Sequence, residues 1–423
     1  MNILEIEDKY MRIENGWKLL ENLYFERLGG TSEELEAAKR IQQALKNDLG
    51  LDSTIEAFDV IRSNIKKVSF EVLEPYQKTY HATAYMNCVD VDNLELDLHY
   101  FEVDHPVSRK MVNGKCALIS GYLGLKMYKA LCESNAKAFI TYNGDADFGP
   151  YDVDDRELRA LLKECGDLPG VHISTQDAME LVEKQASKIR ITVEQEVYTC
   201  QSHNVICDIK GESEDWIVCT AHYDSVPNSK GAYDNATGSV CLYGMAENLK
   251  DKSLKHNVRF VWCGSEERGL LGSKAYVQMH KDELENVKLC VNIDMIGTIM
   301  GSRIAVSTAD MSLVHFIDYY GKMVGFPINS SQGVYSSDST PFADAGVPAM
   351  SFARWTNSDT GRFHCRYDVM EHLSKRMLKE DIEFISQFTE TMANAYVIPV
   401  VREMPQNMKD ELDKYLGRTL LKK

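Results

Sequence analysis

The chain has 423 residues, 44% hydrophobic and 26% charged, which suits a globular protein with two or three domains and a large core. Its formal net charge of −17 argues against a nucleic-acid backbone as the main partner, because phosphate would be repelled. No segment approaches the length of a membrane-spanning helix, so we expect no membrane partner either.

The N-terminus and the cysteines predict the compartment. The stretch MNILEIEDKYMRIENG lacks a basic start, a long apolar run and a small-residue cleavage site, so we expect no signal peptide. The eleven cysteines are scattered without a CxxC pair, and Cys219, Cys263 and Cys290 lie in apolar runs typical of core residues. Reduced thiols without a leader predict a cytoplasmic protein.

The first hundred residues alternate helical and strand patterns. A helical period over residues 8–27 ends at two glycines, and Thr31 with Glu34 then predicts a capping box that opens a second helix. A strand follows over residues 54–61, and further strand-like segments continue to about residue 108. We assign residues 1–100 to the N-terminal part of the main domain.

A different module follows, over residues 101–188. The run VNGKCALIS from Val112 predicts a turn into a buried strand, residues 127–135 a helix, and residues 136–143 another strand. The run PGVHISTQDAMELV from Pro169 predicts a strand and then a helix that begins at Ser174 or Thr175. Because the module contains no cluster of ionisable residues, we interpret it as an inserted domain without chemistry of its own.

The candidate functional residues follow three buried strands of an α/β pattern that begins near residue 203. His222, the adjacent pair Glu266 and Glu267, and Asp294 each stand at the carboxyl end of an apolar run. Ligands collect outside the carboxyl ends of strands in open α/β sheets, so we expect these side chains to be neighbours in space. No HExxH, nucleophile elbow or P-loop occurs, which excludes the common rival hydrolase classes.

Two loop residues, Asp234 and His364, complete a set that is typical of zinc. Neutral imidazole and carboxylate bind zinc directly, and a short-armed aspartate can bridge two metals that lie roughly 3.5–4 Å apart. One glutamate of the Glu266–Glu267 pair is then free to act as general base. Asp224, two residues beyond His222, is placed to orient its ring. Cys365 is an alternative thiolate ligand that a carboxylate-rich site disfavours.

The series of motifs resembles the co-catalytic di-zinc aminopeptidase family, which also contains the glutamate carboxypeptidase II and transferrin-receptor-like proteins. The agreement in order, type and rough spacing covers about residues 203–368, in the motifs HYDS, GAYDNATGS, SEERGLLGS, NIDMIG and GRFHCRYD. The middle module resembles the protease-associated domain often inserted in these enzymes. The resemblance implies a mixed, mostly parallel central sheet flanked by helices, with residues 189–423 as the remainder of the zinc peptidase domain.

The resemblance also implies a role for each site residue. His222 and Asp294 would hold one zinc, Glu267 and His364 the other, and Asp234 would bridge the two ions. Glu266 would be the general base and Asp224 would support His222.

The family also has a tyrosine that stabilises the oxyanion. Tyr335 matches it approximately, although this chain has Ser337-Asp338-Ser339 where the family usually has Ser-Asp-His. A donor aimed at the oxyanion contributes a few kcal/mol to catalysis.

These features predict a metallo-aminopeptidase with two Zn²⁺ per chain, Mn²⁺ or Co²⁺ being alternatives. A metal-bridging hydroxide would attack the peptide carbonyl while Glu266 takes the proton. The partner would be a peptide substrate, and a homo-oligomer is compatible with the sequence.

Three alternatives stay open: a carboxypeptidase or dipeptidase on the same site, with Arg303, Arg354 or Arg362 binding the terminal carboxylate; a glutaminyl-cyclase-like reaction; and a non-catalytic receptor-like homologue.

Overall fold

The computed structural model describes residues 13–421 apart from residues 121, 122, 145, 147, 148, 150, 152, 154, 155, 358 and 359. The strands are β1 (Ser53–Glu74), β2 (Lys78–Tyr80), β3 (Thr83–Met86), β4 (Val91–Phe101), β5 (Cys116–Ile119), β6 (Ala138–Asn143), β7 (Arg156–Glu157), β8 (Gly170–Ser174), β9 (Lys188–Ile209), β10 (Trp216–His222), β11 (Asn257–Cys263), β12 (Val287–Ile293), β13 (Ser302–Thr308), β14 (Asn329–Gln332) and β15 (Ala349–Trp355). The helices are α1 (Ile13–Leu23), α2 (Ser32–Leu49), α3 (Pro106–Met111), α4 (Leu125–Glu133), α5 (Ala160–Lys163), α6 (Thr175–Glu183), α7 (Thr237–Leu249), α8 (Leu271–Met279), α9 (Met311–Val324), α10 (Ser339–Asp344), α11 (Lys375–Ala393), α12 (Gln406–Tyr415) and α13 (Arg418–Leu421).

The chain divides into two compact units. The first comprises the chain up to Val60 together with Cys200–Tyr415, and the second comprises Ile61–Thr199 together with the residues from Leu416 on. The predicted insert, residues 101–188, lies within the second unit. The long strands β1 and β9 each contribute residues to both units, so no turn in the sequence marks either division.

The first unit is built on a mixed, mostly parallel sheet, as predicted. Its strands run in the order β14-β13-β15-β12-β10-β11-β9. The central pairs β10–β11, β10–β12 and β12–β15 are parallel, while β13–β15 and β11–β9 are antiparallel. The central strands are buried along nearly their whole length, which explains why they appear in the sequence as continuous apolar runs rather than alternating ones.

Large aromatic and aliphatic side chains fill the core of this unit. Trp262, Phe260 and Tyr243 are fully buried there, and the indole of Trp262 donates to the carbonyl of Ser239 at 2.9 Å. Helix α7 is buried on almost every residue, so it packs inside the unit rather than on its surface. The site-bearing strands and the helix after Asp234 therefore rest on a rigid, close-packed base.

The start of α2 confirms one of the two hydrogen bonds of the predicted capping box, and the second has a different donor. Thr31 is the N-cap and accepts from the amide of Glu34 at 3.3 Å. The Glu34 carboxylate accepts from the amide of Gly30 at 3.0 Å rather than from that of the N-cap, and its other oxygen accepts from Ser202. Glu34 is fully buried, because the helix N-terminus is also a contact within the unit.

The second unit is β-rich and has its own core. Its strands include β4, β5, β6, β8 and β3 in that spatial order, with parallel pairs β4–β5, β5–β6 and β6–β8. Phe101, Phe139 and Tyr128 are fully buried at its centre. The strands and helices predicted between residues 112 and 182 all form, and Ser174 caps α6 through a hydrogen bond from the amide of Asp177.

In the part of the chain that the structure describes, no helix is both long and apolar enough to cross a bilayer. All eleven cysteines, each among the described residues, are free thiols.

We predict that Leu45→Ala destabilises the first unit by about 2–5 kcal/mol, because the side chain is fully buried in the core and its loss leaves a cavity. Asn47→Ala, at an exposed position of the same helix, should change the free energy of unfolding by less than about 0.5 kcal/mol. Denaturant unfolding of both variants measures the difference, and equal effects would contradict the assigned core face of α2.

Candidate metal centre

Parallel pairing brings the predicted strand-end residues together. The register pairs Thr220 of β10 with Asn292 of β12, so His222 and Asp294, each two residues further on, lie level with one another. His222 also pairs with Cys263, the last residue of β11, and the Glu266–Glu267 pair begins three residues later. Sequence-distant residues therefore meet at one edge of the sheet, as expected for an open α/β fold.

Asp234 enters the same place on the turn Ala232–Ala236, which immediately precedes α7. Gly231 opens this turn at φ +54°, and a Cβ there would approach the Asp234 carbonyl oxygen to 2.5 Å and a side-chain nitrogen of Arg27 to 2.9 Å. Glycine is required at this position because both the backbone conformation and the available space exclude a side chain.

The Asp234 carboxylate lies between the two imidazoles. Its Oδ1 is 3.1 Å from His222 Nε2, and its Oδ2 is 3.0 Å from His364 Nε2. Each imidazole meets a second carboxylate: His222 Nε2 is 3.5 Å from Asp294 Oδ1, and His364 Nε2 is 3.0 Å from Glu267 Oε2. Neighbouring ligands of a tetrahedral zinc with bonds of 2.0–2.1 Å are roughly 3.3 Å apart, so these spacings fit that metal.

The donor set and its surroundings also fit a metal. Ligand atoms of His222, Asp234 and Glu267 all approach one another within 4.8 Å. The side chains of His222 and Asp294 are at most 6% exposed, whereas His364 is 41% exposed, which leaves the centre open on that side. Buried carboxylates at this density need positive charge close by, and a divalent cation would supply it.

Three carboxylates at the centre, those of Glu266, Glu267 and Asp234, have shifted pKa values. Burial raises the pKa of Glu266 well above its usual range; the charge of His222 opposes the shift and that of Glu267 adds to it. Burial likewise raises the pKa of Glu267. Burial has the same tendency at Asp234, but hydrogen bonds with His222 and His364 outweigh it and lower the pKa.

Asp224 does more than face His222. Its Oδ1 lies 3.4 Å from His222 Nδ1, as the predicted orienting role requires. The two carboxylate oxygens also accept from consecutive backbone amides, that of Glu266 at 3.0 Å and that of Glu267 at 3.3 Å. Asp224 is fully buried, so one carboxylate holds the backbone of the glutamate pair and faces the imidazole of His222.

Tyr335 and Asp338 occupy the loop between β14 and α10. The Tyr335 hydroxyl is buried without a hydrogen-bond partner, close enough to Asp294, Asp234 and Glu266 for their charges to raise its pKa further than burial alone. Asp338 is fully buried and accepts from the Ser273 hydroxyl at 2.5 Å.

Two residues beside the centre were missed by the sequence analysis. Arg27 is fully buried, and its guanidinium donates to the carbonyls of Tyr223, Lys230 and Gly231, which belong to the segment that joins His222 to Asp234. Burial lowers the pKa of Arg27 to about 10, while nearby carboxylates, Asp368 foremost, oppose the shift. In the sequence, Arg27 is marked only by its position two residues before a Gly-Gly pair.

Asp368 is the second missed residue. Its two carboxylate oxygens accept from the amides of Tyr233 and Asp234, and the side chain is fully buried. Burial raises the pKa of Asp368 to about 7, and the two amide donors oppose that shift. It stands four residues after His364, a spacing that by itself carries no signal.

The arginines considered for a terminal carboxylate have other partners. Arg354 donates to both oxygens of Asp381, at 2.6 and 2.8 Å, and Arg303 donates to Asp381 and Glu380. The guanidinium of Arg362 lies 5.5 Å from the ring centre of Tyr367.

Comparison with known proteins shows which family the chain resembles. Residues 204–389 match the model of "Peptidase family M28". The chain is 31% identical over 286 residues to aminopeptidase YwaD of Bacillus subtilis (strain 168), an alignment that covers 63% of this chain and 60% of that protein. It is 44% identical over 97 residues to leucine aminopeptidase 2 of Trichophyton rubrum, covering 22% of this chain and 20% of that protein. The matched part therefore spans less than two thirds of either relative.

Among solved structures, that of BSAP, a zinc aminopeptidase from Bacillus subtilis, matches with a TM-score of 0.74 and 25% identity, covering 89% of this chain and 94% of that one. The predicted resemblance to the zinc aminopeptidase family is thereby confirmed.

We predict that Asp224→Asn weakens zinc binding about 10- to 100-fold, because an amide cannot accept from two backbone N–H groups and also hold the imidazole. Competition against a chelating zinc indicator measures the affinity. Asp52→Asn, whose side chain is 90% exposed, is the matched control and should bind zinc as the wild type does. Wild-type affinity in Asp224→Asn would show that this carboxylate does not support the centre.

Proposed function

We propose that this chain, whose residues 204–389 belong to peptidase family M28, is a zinc-dependent exopeptidase that removes N-terminal residues from peptides. The observation that carries the proposal is the Asp234 carboxylate between two imidazoles, each of which meets a further carboxylate. This arrangement suits two metal ions with one shared ligand.

In this proposal the ligands divide into two sets. His222 and Asp294 would hold one ion, Glu267 and His364 would hold the other, and Asp234 would serve both. Zinc is the expected metal, with Mn²⁺ and Co²⁺ as alternatives. Bound zinc would polarise the scissile carbonyl and lower the pKa of water to near neutrality.

Glu266 is the proposed general base. Its carboxylate takes a proton from the attacking water and returns it to the nitrogen of the leaving amine. The side chain is only 8% exposed, and its backbone is held from two directions. Its amide donates to Asp224, and its carbonyl accepts from the amides of Gly269 and Leu270.

Tyr335 is the proposed oxyanion donor. A buried hydroxyl that makes no hydrogen bond within the protein is available to donate to a substrate oxygen. Such a donor, aimed at the negative charge that develops in the transition state, contributes a few kcal/mol to catalysis.

Removal of residues from the amino end is favoured over removal from the carboxyl end. The excess of carboxylates suits a substrate ammonium group, whereas a terminal carboxylate would require a free cation. Arg303 and Arg354 are engaged by Asp381, which weakens the carboxypeptidase and dipeptidase alternatives. A cyclase-like reaction and a non-catalytic homologue remain outcomes of the tests below.

Other predictions about the chain are retained in the proposal. A protease-associated identity for the insert rests on its sequence motifs, and a cytoplasmic location rests on the scattered free cysteines. The acidic net charge of −17 argues against a nucleic acid as partner. A homo-oligomer is compatible with these features.

We predict that the zinc-loaded protein hydrolyses peptides with a free amino terminus and leaves their N-acetylated counterparts intact. The reason is that an acetyl group removes the ammonium that the carboxylates would bind. Mass spectrometry of one peptide series, free, N-acetylated and C-amidated, identifies the end that is shortened. Release from the carboxyl end would support the carboxypeptidase alternative, and cyclised N-terminal glutamine would support the cyclase.

We predict that Glu266→Gln lowers kcat about 10²- to 10⁴-fold with the zinc content unchanged, because glutamine cannot accept the water proton. Glu36→Gln, at an exposed position of α2, serves as control and should keep full activity. Near-wild-type kcat in Glu266→Gln with metal bound would show that another group is the base.

A further inference from the structure

We propose that Asp368 is a positioning residue that sets the place of the second metal by tying the loop of Asp234 to the loop of His364. The inference rests on the proposed function, since it assumes that both loops supply metal ligands. It concerns a residue that we place outside both ligand sets.

The carboxylate of Asp368 holds the backbone at Asp234 at two points. Oδ1 accepts from the amide of Tyr233 at 2.7 Å, and Oδ2 accepts from the amide of Asp234 at 3.0 Å. Two consecutive amides bound to one carboxylate fix the peptide plane between them and hence the direction in which the Asp234 side chain leaves the chain. Hydrogen bonds to a charged acceptor are among the stronger ones, so this restraint is stiff.

The other end of the connection is the loop that carries His364. Asp368 belongs to this loop, and its own amide donates to the carbonyl of Cys365 at 3.1 Å, which closes a turn directly after His364. His364 itself has a positive φ of 55°, an uncommon backbone conformation that its surroundings must maintain. His364 is the most exposed of the predicted ligands, so its loop depends most on such a restraint.

Arg27 provides a buried positive charge on the same side. Its guanidinium donates to the carbonyls of Lys230 and Gly231, at 2.5 and 2.7 Å, just before the amides that Asp368 binds. The turn that carries Asp234 is therefore held by a cation on its carbonyls and an anion on its amides. Arg27 and Asp368 are both buried. A buried charge is costly unless the opposite charge lies near it, so the restraint on this turn depends on both residues.

Asp368 accepts from two consecutive backbone amides, as Asp224 does, but in a different loop. Asp224 accepts from the amides of Glu266 and Glu267 and faces His222. Asp368 acts instead between Asp234 and His364, whose Oδ2 and Nε2 atoms lie 3.0 Å apart. We therefore expect its loss to affect mainly the ion held by Glu267 and His364.

Zinc titration of the metal-free full chain tests the proposal. In Asp368→Asn an amide group would face one backbone N–H, and in Asp368→Glu the longer side chain would displace the carboxylate. We expect each variant to bind one zinc about 10- to 100-fold more weakly than the wild type and the other near wild-type affinity. At saturating zinc, kcat should recover more than at limiting zinc. Asp251→Asn, with a side chain that is 89% exposed, is the control.

The outcomes separate the two proposals. Two wild-type affinities in both variants, or equal weakening of both sites, would overturn the role of Asp368. Thermal unfolding of the metal-free variants is measured in parallel, and if neither folds, the residue is structural and the proposal fails. A wild-type chain that binds no zinc or releases no amino-terminal residue would instead overturn the proposed function itself.

Discussion

The mutual repulsion of buried carboxylates is the constraint on which the rest of the site depends. Asp224, Asp234 and Asp294 are at most 6% exposed and lie close together at one edge of the sheet, with Arg27 as a buried cation nearby. Burying a charge is costly unless it is paired, so such a group forms only where cations and hydrogen-bond donors compensate it. Imidazoles, backbone amides and the proposed metal ions share that compensation.

The fold positions the side chains of the site in two ways: on rigid strands and a buried helix, and through carboxylates that accept hydrogen bonds from the backbone of the loops. Three parallel strands end side by side, and the helix after Asp234 is buried, so the proposed ligands start from fixed positions. Asp224 and Asp368 then each accept from two consecutive amides of a ligand-bearing loop. Catalytic groups must be held close to their productive geometry, and these contacts supply that precision where the chain is irregular.

The sequence predicts the sheet, and it singles out the side chains that the structure brings together at the edge of that sheet, because both have local signatures. Buried parallel strands appear as apolar runs, and imidazole or carboxylate at their ends marks the site. The contacts of Arg27 and Asp368 leave no such signature, because each acts on backbone groups that are distant or unremarkable in sequence. Glu34 illustrates the same limit: its place in a capping box was predictable, but its burial against Ser202 depends on tertiary packing. The unit boundaries at Val60 and Cys200 fall within continuous strands, which carry no turn signal.

The number of zinc ions per chain tests the central claim most directly. Elemental analysis of the zinc-loaded protein, after free metal is removed, measures that number without reference to any substrate. A shared Asp234 between two imidazole–carboxylate pairs predicts two zinc ions per chain. One ion, or none, would contradict the account.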